Sequence, residues 1–389
     1  MILISKRELS SSKDLLFDGS IQWTNEANDY WQFGSIRAEK SAEALIESTN
    51  QDSPEIIPEE FIKSMKGIAK GKVPWPLVIP HNILIEQLEK LKAEVADAIE
   101  YLDGYENHLA ENRRVISKLL PCKIDKSIYN TIINENANSV VESFKPDDDL
   151  FVDPPTYSHK TSTGRLIIKS GPKILSLNKE YRKMFTSRFN RGSVMMIDFV
   201  SLEPRILRLL AAGEANYDIY SEISKKFNGD ITRSQAKLAT LKLLYGSSIS
   251  SISSDVGSIK RSVIKEIENF FGLSALKEKL ANEFRNNKII KSYWGRPLPD
   301  AIDDHLFVSH YTQSSAVDFA LSGFNQILDK IQEEDLEVAP CYLIHDALVV
   351  DVSSTSIEAL EKIVNAGVDI KGVGHFNLSF KNAYLENEE

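Results

Sequence analysis

The chain has 389 residues, enough for two or three packed subdomains, and its 42% hydrophobic and 26% charged residues mark an ordinary soluble globular protein. A formal net charge of −10 excludes a uniformly basic nucleic-acid binder, because phosphate contacts need Lys and Arg. Two cysteines, Cys122 and Cys341, are too few for a disulfide framework and show no metal-ligand spacing; with no signal peptide and no long apolar run, the expectation is a cytoplasmic protein without a membrane segment.

Residues 1–82 mix polar stretches with Trp23, Trp31 and Trp75 and carry no readable role. Pro74, Pro76 and Pro80 at their end predict an extended connector. From Ile83 to Leu120 the pattern turns helical: Ile85, Leu88, Leu91, Val95 and Ile99 recur at three- and four-residue spacing. One or two amphipathic helices are predicted, as a hairpin broken near Gly104. Asp147, Asp148 and Asp149, followed by Pro154 and Pro155, mark a loop. Arg165, Lys169, Lys173, Lys179, Arg182, Lys183, Arg188 and Arg191 then form a basic stripe with Glu180 as its one acid. Such a stripe on an acidic chain is an electrostatic footprint for phosphates; the plainer reading is a solvated face.

Val194-Met195-Met196-Ile197 is a short apolar run that predicts a buried strand ending at Asp198. Residues 203–285 are mostly helical by period. Cys341 to Ile344 and Ala347 to Val350 are two apolar runs separated by His345-Asp346, which predicts a β-hairpin with a polar tip. Two carboxylates thus end apolar strands, where an ionised group needs a partner or a metal. Each has a bland alternative, a turn residue for Asp346 and a helix N-cap for Asp198. As a pair they suggest a divalent metal site of the kind used in nucleotidyl transfer. Arg233, Lys237, Leu241 and Tyr245 recur every four residues, a slowly winding helical stripe that could grip a triphosphate and stack on a base. The plainer reading is an amphipathic helix with exposed cations.

In order along the chain, these residues resemble the motifs of family A DNA polymerases. Asp198-Phe-Val-Ser-Leu-Glu203-Pro-Arg205 is similar to the family's first motif, Arg233 to Gly246 to its second, and Ile344-His345-Asp346-Ala347 to its third. Thr161-Ser-Thr-Gly-Arg165-Leu, Trp294-Gly295-Arg296 and Gln313-Ser-Ser-Ala-Val-Asp318 resemble three further family segments. The resemblance covers about residues 145–389. It implies an α+β right-hand fold: an antiparallel palm sheet, helical fingers and a short helical thumb. On that reading residues 1–82 have an unknown role, 83–160 are thumb-like, 161–212 and 311–389 form the palm, and 213–310 form the fingers.

The resemblance implies a template-directed DNA polymerase that adds dNTPs to a primer 3′-hydroxyl. Asp198, Asp346 and the backbone carbonyl of Phe199 would hold two Mg²⁺ ions. Arg233 and Lys237 would bind phosphates, with Lys237 also a general acid toward the leaving pyrophosphate. Tyr245 would lie near the templating base. Glu203 matches a steric gate against the ribose 2′-hydroxyl, and Leu241 stands where an aromatic usually packs beside the incoming sugar. Arg165, Gln313, His345 and Arg296 would contact primer–template DNA. Departures suggest a divergent, phage-type enzyme, acting in the host cytoplasm if viral: Ala347 replaces a Glu, Tyr220 a His and Ser309 an Asn, and Pro204 follows Glu203.

Residues 1–82 are too few for a proofreading domain and offer no D-x-E motif, so no 3′–5′ exonuclease is expected; a separate exonuclease or a processivity factor would be a partner. Two rivals remain: a single-subunit RNA polymerase-like enzyme, disfavoured by Glu203, and a non-catalytic DNA-binding replisome protein on a polymerase fold.

Overall fold

The computed structural model describes residues 1–384 apart from 36, 53, 57–73, 137, 228–230, 258 and 299–302. The chain divides into two compact units, residues 1–118 with 156–169, and residues 119–155 with 170–389. In this division residues 83–118 group with the N-terminal stretch.

In the first unit, β1 (Ile2–Ile4), β2 (Asp14–Phe17), β3 (Ile21–Thr24) and β4 (Trp31–Phe33) form a sheet in the order β3-β2-β1-β4. β1 runs antiparallel to β2 and parallel to β4. This sheet was not legible in the sequence, because its strands have three or four residues each and too little alternation to register a period of two. α1 (Ala42–Glu47) is capped by Ser41, whose hydroxyl accepts from the Ala44 amide.

α2 (His81–Leu102) and α3 (Tyr105–Ser117) form the expected helical hairpin. Asp103 and Gly104 both take left-handed backbone (φ 48° and 89°), which ends one helix and starts the next. On α2, Leu84, Leu88, Leu91, Val95, Ala98 and Leu102 are buried at helical spacing. They share one core with Ile2, Ile4, Leu15, Phe17 and Phe33 of the sheet, and with Trp75 and Ile79 of the prolyl segment. That segment is a packed 3₁₀ turn over Trp75–Leu77 rather than an extended connector.

The second unit contains β5 (Cys122–Ile124), β6 (Phe151–Val152), β7 (Phe185–Thr186) and β8 (Gly192–Phe199). Helices α4 (Leu202–Ala212), α5 (Ile219–Lys226), α6 (Arg233–Leu244), α7 (Arg261–Phe270), α8 (Leu273–Asn287) and α9 (Phe307–Glu333) follow. The unit closes with β9 (Val338–Ile344), β10 (Ala347–Ser353), α10 (Ile357–Asn365), β11 (Val368–Ile370), β12 (Gly374–Phe376) and β13 (Leu378–Asn382). The main sheet is antiparallel throughout, in the order β9-β10-β8-β13.

Every residue of the central strand β10 is buried, which explains its continuous apolar run. Its one acid, Asp351, accepts from the Ser187 hydroxyl (2.5 Å) and the Arg188 amide (2.7 Å) and pairs with the Arg188 guanidinium. β9 is an edge strand, so it tolerates Pro340, whose carbonyl accepts from the Leu120 amide at 2.7 Å; the register shifts just beyond it. The fold also brings the two cysteines together. The thiols of Cys122 and Cys341 are buried and hydrogen-bonded to each other, and this contact, with burial, pushes the Cys122 thiol well above its usual range. Sequence spacing could not reveal a pair 219 residues apart.

The helices α4 to α9 bury a second apolar core that includes Ile219, Ile223, Ala236, Ala239, Ile264, Ile267, Phe271 and Phe307. Among the described residues, no helix is long and apolar enough to cross a membrane.

Candidate active site

Side chains alternate across a strand, and residues paired in register share a face. On β8, Ile197 and Phe199 face α9: the Phe199 ring packs edge-on against Phe324 (5.4 Å) and Phe376 (6.1 Å). Gly323 on α9 is required by this packing, since a Cβ there would lie 2.6 Å from the Phe199 ring. Asp198 is therefore turned to the opposite face. It stands between Ala347 of β10 and Ser379 of β13. The alternative N-cap role does not apply, because α4 starts four residues later, at Leu202, with Ser201 as its N-cap.

Asp346 occupies the tip of the β9–β10 hairpin, as the two apolar runs predict. His345 beside it is exposed and takes left-handed backbone (φ 55°). The Phe199 amide donates to the Asp346 carbonyl at 3.3 Å, so the two aspartates are carried on adjoining strand ends. Lys381, which no motif singled out, places its Nζ 2.6 Å from Asp198 Oδ2. Its register partner is Met196, so it lies on the same face as Asp198, one diagonal step away.

After β8 the chain turns sharply through Ser201 (φ 53°) into α4. Both strand ends of the site thus carry a non-glycine left-handed residue, a costly conformation that the surrounding structure must hold. Arg205 on α4 is 1% exposed and donates to the carbonyls of Ala215, Asn216 and Tyr217 (2.9–3.2 Å). It pins the loop that leads to Asp218. Asp218 caps α5 and accepts from Arg233 Nε at 2.8 Å. Arg233 also lies over the Tyr220 ring, 5.8 Å from its centre. Tyr220 itself is buried and hydrogen-bonded to Ser201, so where the family has a His this chain builds a support under Arg233.

Burial would raise the Asp218 carboxyl, but the hydrogen bonds from Ser221 and Arg233 outweigh it and bring it down to about 2. A depressed carboxyl stabilises the fold fully above the ordinary value of about 4 and loses that contribution as pH falls through about 2. Acid unfolding should therefore show a stability loss between roughly pH 4 and pH 2 that Asp218→Asn lacks. Identical acid profiles for the two proteins would remove Asp218 from this account.

α6 begins with a capping box between Thr232 and Gln235 and carries the Arg233, Lys237, Leu241, Tyr245 stripe. Arg233 and Lys237 are exposed and Leu241 is half-buried. At the far end the Tyr245 hydroxyl donates to Glu203 Oε2 at 3.0 Å. The structure thus brings the end of the stripe to the start of α4, five residues beyond Asp198. Gly246 follows at φ 80°, where a Cβ would lie 2.6 Å from the His305 carbonyl; only glycine fits.

The other expected residues are placed differently. Gln313 sits on α9 with its amide donating to Ser309 at 2.9 Å. Arg165 belongs to the first unit. Arg296 is 2% exposed and donates to Asp318 Oδ1 at 2.7 Å, with Asp318 fully buried. The guanidinium is enclosed with a buried carboxylate, whereas the expected DNA contact by Arg296 would need it at the surface. Sequence had no sign of this, because an arginine in a motif reads the same whether it faces solvent or core.

The family description "DNA polymerase family A" matches residues 37–380. The chain belongs to DNA polymerase family A. It is a DNA-directed DNA polymerase, as the ordered motifs predicted. Among solved structures, the polymerase is similar to the POL domain of Pol1 from M. smegmatis, in a complex with DNA primer-template and dNTP. The match has a TM-score of 0.61 at 12% identity and covers 93% of this chain and 82% of that one, which shows a shared fold. No curated protein sequence matches the polymerase significantly.

Proposed function

We propose that the polymerase extends a primer by two-metal nucleotidyl transfer centred on Asp198 and Asp346, with Glu203 selecting deoxynucleotides. The observation that carries this reading is the joining of the two aspartates' strand ends beside a bonded Glu203–Tyr245 pair. Asp198, Asp346 and the Phe199 carbonyl offer oxygen donors only, which suits a hard cation such as Mg²⁺. Among the described residues no group of three or more His, Cys, Asp or Glu could hold a metal ion, so carbonyl, water and substrate oxygens would complete the set. Bound Mg²⁺ would supply Lewis-acid activation of the primer hydroxyl and charge neutralisation at the triphosphate.

The chain's own residues divide the remaining tasks. Arg233, oriented by Asp218 and Tyr220, binds triphosphate oxygens. Lys237, exposed one turn along the same helix, binds phosphate and donates a proton to the leaving pyrophosphate. Glu203, held by the Tyr245 hydroxyl, walls off the space that a ribose 2′-hydroxyl would enter. Leu241 packs beside the sugar. Gln313, His345 and Arg165 contact primer–template DNA, together with exposed members of the basic stripe.

Residues 1–82 are read as carrying no exonuclease chemistry, because they offer no D-x-E motif to hold a nuclease metal.

Primer extension with purified protein tests these points together. With Mg²⁺ and dNTPs the primer should lengthen; with rNTPs it should lengthen at least about a hundredfold more slowly. Glu203→Ala should narrow that ratio, and a primer without nucleotides should stay intact. Efficient rNTP use by the wild-type protein would favour the RNA polymerase-like alternative.

A further inference from the structure

Lys381 stands out because strand geometry, not a flexible surface excursion, brings its ammonium to Asp198. It projects from β13 on the face that carries Asp198, and both side chains are about three-quarters enclosed (27% and 26% exposed). Its Nζ lies 2.6 Å from Oδ2, a charge-assisted hydrogen bond. On the other flank the register partner of Asp198 is Ala347 of β10, which offers no charge of its own. Ser379, the register partner of Asp198, donates to the Asp198 backbone carbonyl at 3.3 Å and holds β13 in place beside it.

We propose that Lys381 is a positioning residue: the resident counter-cation of Asp198, which holds the carboxylate in one rotamer and competes with a divalent cation for its oxygen. This rests on the reading of Asp198 as a metal ligand. A fixed ammonium at that oxygen weakens metal binding to the free protein. Binding becomes stronger once a nucleotide brings its own negative charge into the site. Lys381 thereby couples metal loading to nucleotide arrival.

The test is a Mn²⁺ titration of the full chain without nucleic acid or nucleotide, reading free Mn²⁺ by electron paramagnetic resonance. Wild type, Lys381→Met, Lys381→Arg and Asp198→Asn are compared. Lys381→Met should bind Mn²⁺ about fivefold more tightly at the Asp198-dependent site. Lys381→Arg, which keeps the charge, should stay within about twofold of wild type. Asp198→Asn should lose the site. If Asp198→Asn loses the site but Lys381→Met binds like wild type, the role of Lys381 is overturned and the metal assignment survives. If Asp198→Asn keeps the site, the metal assignment fails and takes this inference with it. Lys381→Gln replaces the Met variant should the latter not fold, and carries the same expectation.

Discussion

Asp346→Ala should lower the rate of primer extension by about a thousandfold or more, equivalent to about 4 kcal/mol of transition-state stabilisation. Asp198→Asn should do the same. Neither residue lies in the hydrophobic core, and both stand at strand ends whose backbone pairing survives the change. Folding and duplex affinity should therefore change little. Single-turnover extension measures the rate, and fluorescence anisotropy with a labelled primer–template measures binding. A full rate in Asp346→Ala would end the two-metal assignment. A lost rate together with lost binding would point instead to a structural role for the hairpin tip.

Arg296→Met should destabilise the protein by about 3–5 kcal/mol, because it leaves the buried Asp318 carboxylate without its charged partner. For the compact unit that holds both residues, this corresponds to a melting midpoint lower by roughly 10 °C. Combining Arg296→Met with Asp318→Leu removes both charges and should recover most of the loss. Circular dichroism melting of the three variants gives the comparison. If Arg296→Met melts like wild type while duplex affinity drops, the arginine is a DNA contact after all.

These two predictions come from residues that read alike in the sequence, as polar members of ordered motifs. Asp198 was legible because it interrupts an apolar run, and a carboxylate in that position needs a reason. Asp346 was legible because it splits two apolar runs at the spacing of a hairpin. The helical hairpin over residues 81–117 was legible from its 3.6-residue period, and its break from Gly104. The N-terminal sheet was not, since its strands are too short to show a period. Lys381 was not, because it lies on a strand with no motif and meets Asp198 across 183 residues. Tyr220 appeared only as a departure from a family pattern, and its task under Arg233 emerged from packing.

The sequence by itself determined the family, the order of the motifs and the local form of the elements that carry them. Those properties depend on residue type and near-neighbour spacing, which the chain displays directly. Tertiary structure alone decided which charges face each other. It enclosed Arg296 with Asp318, joined Tyr245 to Glu203, and set Lys381 against Asp198. Each of these pairings depends on strand register and helix packing, and a shift of one residue along a strand would have turned the same side chain to the opposite face.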